Sequence, residues 1–297
     1  MKKKIILITG SSGFIGNFFL RYALKKGIKV IDILRKKNYH NSSLTLLRKN
    51  YSKNYESIFY SKSTELQKKL ENKKKIDYFI NFATLYKNSH LHSEIPAFIE
   101  SNIIFPSIIL DLIYAKVNKV INFGTMMQHV NGKDYTPKNF YASTKSAFEM
   151  ILNFYTSQNK RLKYYNLKFY ESFYEIDNRK KLIPTLLKNY KKNKTTAVIS
   201  SKLELNIIHL NDIIKAIDIV LNKNFKSGNY CLKQTKNIKI KNFLFTINKN
   251  LKKKIKVNYL NKKMKKPLLS KLKSLPNWKA DSKLEQKIKR QFYNADN

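Results

Sequence analysis

A tyrosine and a lysine in the middle of the chain have the types and spacing needed to move a proton. Tyr141 and Lys145 lie four residues apart in the segment YASTK, so on a helix their side chains share one face. A phenol with a pKa of about 10 is a poor acid or base at neutral pH, and a neighbouring ammonium is expected to lower that pKa. The pair therefore predicts a tyrosine that exchanges a proton with a substrate oxygen.

The spacing alone carries little information, because the chain contains 19 tyrosines and 60 lysines and arginines. The surrounding sequence adds weight. Tyr141 follows the apolar run KVINFG, which ends beside Thr125, and SAFEMILNFY continues the helix with an apolar face. Reactive groups of a parallel sheet lie where its strands end, so we expect Thr125 and Tyr141 at one edge of a sheet.

Three of the seven glycines fall within eight residues, in TGSSGFIG. A buried-strand pattern, Ile5–Thr9, precedes them, and apolar residues at helical spacing follow over Phe14–Lys26. In this context Gly10 allows a tight turn, Gly13 lets the backbone approach a pyrophosphate, and Gly16 lets the helix pack on the strand. A purely structural turn is the alternative. The residues predicted to bind a dinucleotide here are Gly10, Ser12, Gly13, Phe14, Ile15 and Gly16.

Apolar runs and helical patterns alternate along the first part of the chain. Strands are predicted at Ile5–Thr9, Ile28–Leu34, Ile58–Tyr60, Ile76–Ala83, Lys119–Gly124 and Lys163–Tyr170. This alternation predicts an α/β fold, a Rossmann doubly wound parallel sheet with helices on both faces. No linker divides the chain, so a smaller C-terminal substrate lobe must be interwoven with it. We predict a dinucleotide domain of 1–168, to which about 205–231 returns, and a lobe of 169–204 and 232–297.

The chain is strongly basic, with a net charge of +41 and a pI near 10.1. Such a charge is typical of nucleic-acid binding. The cations are mostly lysines spread along the whole chain, whereas a phosphate-binding patch is local and richer in arginine. We therefore predict no nucleic acid as main partner, and expect attraction to anionic substrates.

Other features predict a cytoplasmic protein without a membrane segment. The single cysteine, Cys231, excludes a disulfide framework and favours a reducing compartment. The N-terminal apolar run is too short for a secretory signal. The apolar stretch Ile103–Ala115 is interrupted by Pro106 and Asp111, which favours a core helix over a membrane span. The five histidines lack an acidic cluster, so no metal site is predicted.

The glycine loop, Thr125 and YASTK together resemble the extended short-chain dehydrogenase/reductase family, also called the NAD-dependent epimerase/dehydratase family. The segments IDYFINFAT and LNIIHLNDIIKAIDIVL match it further along the chain. The resemblance implies that Thr125 hydrogen-bonds the reacting oxygen, Tyr141 transfers the proton and Lys145 holds the nicotinamide ribose. It places Ala83 and Asn102 beside the cofactor. It also implies a homodimer formed through the fourth and fifth helices.

Members of this family act mostly on nucleotide-linked sugars, so the resemblance implies a nucleoside-diphosphate sugar partner, as in polysaccharide biosynthesis. The residues predicted to bind it are Thr84, Thr125, Met126, Tyr141 and Arg179. Sugar 4,6-dehydratases carry an Asp-Glu pair directly after the threonine. Met126 and Met127 stand there in this chain and cannot move protons, so dehydration is rejected.

Three functions stay open on the sequence. Reduction of a 4-keto sugar, with Tyr141 as proton donor, is the predicted reaction. A C4 epimerase with tightly held NAD is the alternative. A non-catalytic dinucleotide- or RNA-binding Rossmann protein is an alternative of another class. One departure from the family concerns its Arg-x-x-Asn-x-Tyr-Gly-Pro segment, in which Lys168 replaces the arginine and the Tyr-Gly-Pro element is degraded.

The end of the second strand bears on the choice of dinucleotide. NAD binders carry an acidic residue there that accepts hydrogen bonds from the ribose hydroxyls. In this chain the position holds Leu34, Arg35 follows it, and Asp32 lies two residues too early. An arginine without an acid favours a 2′-phosphate, so NADP is the predicted cofactor, with NAD as the alternative.

Overall fold

The structure is a computed structural model that describes residues 4–35, 40–61, 63–73, 75–130, 132, 135–262 and 272–296. Its strands are β1 (Ile5–Thr9), β2 (Lys29–Arg35), β3 (Tyr55–Tyr60), β4 (Tyr78–Asn81), β5 (Lys119–Thr125), β6 (Lys163–Phe169), β7 (Glu171–Phe173), β8 (Thr196–Val198), β9 (Glu204–Leu205), β10 (Ile207–His209), β11 (Gly228–Cys231), β12 (Ile238–Lys239) and β13 (Val257–Tyr259).

The helices in the same ranges are α1 (Phe14–Lys25), α2 (Ser42–Asn50), α3 (Ser63–Glu71), α4 (Ile95–Ile99), α5 (Phe105–Ile113), α6 (Phe140–Gln158), α7 (Leu182–Lys191), α8 (Leu210–Asn222), α9 (Ile240–Asn248) and α10 (Leu284–Asp296). A π-helical turn, Glu100–Ile104, joins α4 to α5. Such turns inside helices are rare and occur often near functional sites.

A seven-stranded sheet organises the fold, with strand order β3-β2-β1-β4-β5-β6-β11. The strands from β3 to β5 run parallel to their neighbours. The order reverses between β1 and β4, which is the switch point at which doubly wound sheets bind ligands. The predicted Rossmann fold is therefore confirmed.

The central strands are apolar because both faces of the sheet are covered. One core cluster joins strand residues such as Leu7, Phe79 and Val120 to Ile109 and Phe148 from the helices. By length and composition alone, the helical stretch His92–Ile113 would suffice to span a membrane. That finding carries little weight, because the core helix of a soluble protein meets the same criteria.

A row of hydrogen-bonded polar side chains crosses five neighbouring strands of this sheet, and all of them are buried except the half-buried Asn229. The Thr9 hydroxyl donates to Asn81 Oδ1 at 2.7 Å, and each following amide donates to the next carbonyl oxygen: Asn81 to Asn122 at 3.0 Å, Asn122 to Asn166 at 2.9 Å, and Asn166 to Asn229 at 2.8 Å. We call these five residues the asparagine ladder. Because unpaired buried amides are costly, the ladder favours one strand register and aligns the strand ends that carry the site.

The described residues divide into two compact units, the first of 4–168, 217–230 and 272–273, and the second of 169–216, 231–262 and 274–296. The second has its own core, in which α7, α9 and α10 pack together through Leu186, Phe243 and Phe292. We predicted that the chain returns to the first unit near residue 205, whereas it returns at residue 217. The reason is that β10 pairs with β7 inside the second unit.

Candidate active site

The glycine loop connects β1 to α1 at the switch point. Gly10 has a φ of +75°, and a Cβ there would lie 2.5 Å from the backbone nitrogen of Ala83. A Cβ on Gly16 would overlap the carbonyl oxygen of Gly10. These two glycines are therefore required by the fold itself, for the turn and for the close approach of helix and loop.

Gly13 differs from them, because a Cβ there would meet only the Gly10 oxygen, at 3.2 Å. Gly13 is exposed and is the N-cap of α1, so the unpaired N–H groups of the helix begin beside it. Ser12 is exposed too, whereas Phe14 and Ile15 are half-buried in the first turn. The loop thus leaves an open, N–H-rich surface of the kind that binds phosphate.

Asp32 lies beneath this loop. Its Oδ2 accepts hydrogen bonds from the hydroxyls of Ser11 and Tyr55, the latter at 2.7 Å. Its buried Oδ1 has no hydrogen-bond partner. Burial raises the pKa of Asp32 to about 6, against the lowering effects of both hydroxyls and of Arg48. Asp32 therefore connects the glycine loop to β3 within the protein interior. It does not take the place of the ribose-binding acid at the end of β2, where Arg35 is exposed.

We expect Asp32→Asn to stabilise the protein at pH 7.5. A carboxyl whose pKa is higher in the folded state favours folding below the unfolded pKa of 3.8, and that contribution is lost as pH rises through about 6. The difference of about two pKa units corresponds to roughly 2–3 kcal/mol in the free energy of unfolding. Thermal unfolding of both proteins between pH 4 and 8 measures it. The control is Asp111→Asn on the surface, and a variant that loses stability relative to wild type as pH rises contradicts the assignment.

Thr125 ends β5 in a tight turn. Its Oγ1 accepts a hydrogen bond from the N–H of Met127 at 3.2 Å, and its own N–H donates to Gln128 Oε1 at 2.9 Å. The helix α6 begins after Asn139, whose side chain caps it by accepting from Ala142 N, and it packs against β5 and this turn. The chain thereby places α6 beside the strand end that carries Thr125.

Tyr141 and Lys145 lie one turn apart on the buried face of α6. Burial raises the pKa of Tyr141 to about 12, and a hydrogen bond with Thr84 only partly offsets this. The predicted lowering by Lys145 is therefore wrong for the chain by itself: burial is the largest influence on the Tyr141 hydroxyl, and the neighbouring Tyr86 raises its pKa further. Burial also lowers the pKa of Lys145 to about 8. At neutral pH Tyr141 is a neutral phenol, the form that donates a proton.

Asn102 lies in the π-helical turn and is fully enclosed. Its Oδ1 accepts from Leu85 N at 2.7 Å and from the Thr84 hydroxyl at 3.2 Å, and its amide nitrogen donates to Leu85 O and to the Thr144 hydroxyl. The backbone nitrogen of Ala83 donates to Thr9 Oγ1 at 3.3 Å. In this structure Asn102 therefore joins the loop after β4 to α6, and so positions Thr84 beside Tyr141.

The remaining predicted substrate residues lie in different units. Met126 is buried directly after Thr125 in the first unit. Arg179 belongs to the second unit, where its guanidinium donates to both carboxylate oxygens of Asp177 and to Ser172. In the described part of the chain, no group of three His, Cys, Asp or Glu side chains is arranged to hold a metal ion.

The structure brings together four buried side chains, of which the sequence analysis singled out only Lys168, and that without its partners. Lys168 Nζ lies 2.8 Å from Glu149 Oε2 and 2.8 Å from His129 Nε2, and Gln128 Nε2 donates to Glu149 Oε1 at 2.8 Å. We call Gln128, His129, Glu149 and Lys168 the buried polar cluster. The signal available in the sequence was the position of Glu149, four residues after Lys145 on the same helix face.

A parallel sheet with a glycine loop at its switch point, and with a threonine, a tyrosine and a lysine on the adjoining strand end and helix, defines a Rossmann-type dinucleotide-binding protein. Within that class the chain belongs to the NAD dependent epimerase/dehydratase family, whose model matches residues 6–232.

Known proteins similar to this chain carry sugar-nucleotide names. A CDP-abequose synthase from Yersinia pseudotuberculosis is 26% identical over 76% of this chain and 75% of its own length. A UDP-N-acetylglucosamine 4-epimerase structure from Methanobrevibacter ruminantium M1, in complex with UDP-N-acetylmuramic acid, has a TM-score of 0.78 and 20% identity over 99% of this chain and 98% of its own. The structure of MoeE5 with UDP-glucose and NAD has a TM-score of 0.76 and 13% identity over 97% of each chain.

Proposed function

We propose that this protein is an NAD(P)-dependent oxidoreductase that reduces a 4-keto group on a nucleoside-diphosphate sugar. The observation that carries the proposal is the buried Tyr141 on the helix that packs beside Thr125, one turn from Lys145. A ketone becomes an alcohol by gaining a hydride on carbon and a proton on oxygen. A phenol that is protonated at neutral pH is the group needed for the second step.

The residues present fit a bound dinucleotide, because Gly13 leaves an open approach to the N-terminus of α1. The nicotinamide supplies the hydride when it is bound. Thr125 orients the keto oxygen through its hydroxyl, and Tyr141 donates its Oη proton to that oxygen. Lys145, whose pKa of about 8 keeps it mostly charged at neutral pH, stabilises the phenolate that remains.

The buried Met126 keeps water away from the strand end and offers no second acid or base. Reduction needs none, whereas elimination of water does. Cytidine diphosphate is the nucleotide we propose for the substrate, because the similar synthase is named for a CDP-linked sugar. A cytoplasmic location fits these reactants and the buried thiol of Cys231.

NADPH is the reductant we propose. Leu34, at the strand end where NAD binders place an acid, is buried, and Arg35 beside it is exposed. The buried Asp32 is held by Ser11 and Tyr55 and does not replace that acid. A guanidinium at this edge attracts a 2′-phosphate.

The first experiment is to denature the purified protein and identify any released dinucleotide, then to titrate the protein with NADPH and NADH. Protein without nucleotide that binds NADPH more tightly, and oxidises it when a CDP-4-keto sugar is added, supports the proposal. One equivalent of tightly held NAD would replace it with the C4 epimerase. Binding of neither nucleotide would remove the catalytic assignment.

We also propose the homodimer through the predicted fourth and fifth helices. The fourth is the stretch from α4 through the π-helical turn to α5, the fifth is α6, and the two pack side by side. This surface exposes large apolar side chains, and Met150 and Phe154 on α6 are each more than half exposed. Phe154→Glu is expected to weaken association about 100-fold, the effect of losing a central apolar anchor. Sedimentation of wild type and variant measures it. Phe245→Glu, at a phenylalanine of the second unit that is also more than half exposed, is the control. A monomeric wild type would contradict the proposal.

A further inference from the structure

The buried polar cluster lies directly behind the strand end that carries Thr125. A Cβ on Gly124 would lie 2.8 Å from Gln128 Oε1, 2.8 Å from Lys168 Cγ and 3.1 Å from Glu149 Oε1. The cluster therefore packs against the backbone of β5 one residue before Thr125. All four of its side chains are at most 3% exposed, so their charges act without the screening that water provides.

One chain of hydrogen bonds runs from the cluster to Thr125. Lys168 donates to one oxygen of Glu149, Gln128 donates to the other, and Gln128 Oε1 accepts the N–H of Thr125 at 2.9 Å. A buried carboxylate with both oxygens paired is held rigidly, because any movement leaves a charge unpaired. Glu149 thereby holds Gln128, and Gln128 holds the turn that aims the Thr125 hydroxyl.

The same carboxylate acts on the charge of Lys145. Glu149 follows Lys145 by one turn of α6 and favours its ammonium form, whereas Lys168 disfavours it. Desolvation, which is the largest influence, also favours the neutral amine. Glu149 and Lys168 therefore act in opposite directions on the charge of Lys145, on top of the larger effect of desolvation.

We propose that Glu149 is a positioning residue for two members of the site at once, orienting Thr125 through Gln128 and keeping Lys145 protonated, and that Lys168 opposes it at Lys145. This inference rests on the proposed function for its effect on turnover. Its electrostatic part concerns Lys145 alone and requires no bound nucleotide.

Other ionisable groups face Glu149 from the neighbouring elements. Tyr135 Oη lies 3.4 Å from Glu149 Oε2, and both Tyr135 and Tyr164 have pKa values raised by burial first and then by the charge of Glu149. Since their pKa values lie above the ordinary phenol value of about 10, both tyrosine hydroxyls stay protonated near neutral pH. His129 Nε2 accepts from Lys168, because an ammonium has no lone pair to offer. Lys168 is thus the cation whose removal changes the balance at Lys145.

The test is a pH titration of the Lys145 side chain in protein without added nucleotide. The ¹³Cε chemical shift of Lys145, assigned by its absence in Lys145→Met, reports the midpoint, which we expect near 8 in wild type. Glu149→Gln is expected to lower the midpoint by about one pH unit, and Lys168→Met to raise it by a similar amount. General destabilisation cannot move one midpoint in two directions. Shifts of the same sign, or none, would overturn the electrostatic part.

Turnover tests the positioning part. Gln128→Leu preserves every charge, so the Lys145 midpoint is expected to stay in place while kcat falls by up to about 100-fold, the loss that a catalytic group misplaced by roughly 1 Å can cause. An unchanged kcat would overturn this part. Lys119→Met is the matched control, because Lys119 is a buried lysine at the opposite end of β5 that donates to Val220 O and Lys223 O. It is expected to lower stability and leave the midpoint unchanged.

Two results separate this inference from the proposed function. Protein that neither binds dinucleotide nor turns over sugar, but shows the opposite midpoint shifts, refutes the function and supports the electrostatic part. Protein that turns over the sugar, but whose variants leave the Lys145 midpoint unchanged, supports the function and refutes the electrostatic part. If Glu149→Gln does not fold, the upward shift in Lys168→Met and the kcat of Gln128→Leu still decide both parts.

Discussion

Tyr141→Phe is expected to lower kcat for keto-sugar reduction by about 10²- to 10⁴-fold, the usual contribution of a general acid. The variant loses only the Oη that donates the proton. Its ring still packs edge-on against Tyr86, at a centroid distance of 4.9 Å, so the fold should be unaffected. Affinity for the dinucleotide should change little, because the backbone of the glycine loop and α1 supplies the phosphate contacts.

Tyr86→Phe is the matched control for this result. The rings of Tyr86 and Tyr141 pack against each other, so Tyr86→Phe removes a hydroxyl from the same ring pair and leaves the proton of Tyr141 in place. If only that proton matters, the Tyr86→Phe protein should keep a near-normal kcat. Steady-state rates and dinucleotide titrations of both variants make the comparison. A Tyr141→Phe protein with unchanged turnover would remove Tyr141 as proton donor. A wild type that binds dinucleotide without any turnover would support a non-catalytic binding role.

Gly13→Ala is expected to reduce dinucleotide affinity by at least about 100-fold with the fold intact. The backbone at Gly13 is extended, with a φ of −86°, which alanine adopts freely. The new methyl group would touch only the Gly10 oxygen, at 3.2 Å. It would project from the exposed start of α1, where a pyrophosphate must approach the backbone. Titration with NADPH and NADH, together with a thermal unfolding curve, measures both effects.

Gly16→Ala provides the contrast. Its methyl group would overlap the Gly10 oxygen and crowd Gly10 C at 2.8 Å, so loop and helix must move apart. Overpacking of this kind costs about 1–3 kcal/mol, and we expect a lower unfolding temperature together with weaker binding. If Gly13→Ala bound dinucleotide as tightly as wild type, the loop would be a structural turn and no phosphate site.

Local features were predictable because they depend on neighbouring residues. The first strand was predicted at Ile5–Thr9 and has those bounds in the structure, and the first helix ends at Lys25, one residue before the predicted end. Gly27 stops that helix with a φ of +70°, a conformation that costs glycine little. Alternating strands and helices then left few topologies other than a doubly wound sheet.

The arrangement of polar groups from distant parts of the chain was decided only by tertiary structure. The asparagine ladder joins residues up to 72 positions apart in sequence in a single step, and Glu149 meets Lys168 across 19 residues. Arg179, predicted as a substrate residue, forms its bonds with Asp177 and Ser172 instead of presenting a bare charge. No periodicity in the sequence encodes such contacts.

The chemistry of the site divides in the same way. Residue types and spacing identified Tyr141 and Lys145 as a pair, because four residues make one helical turn. The state of each group depends on what surrounds it after folding. Desolvation raises the pKa of Tyr141 to about 12 and lowers that of Lys145 to about 8. The sequence by itself determined that Tyr141 and Lys145 share one helix face, and burial in the folded chain decided the pKa of each.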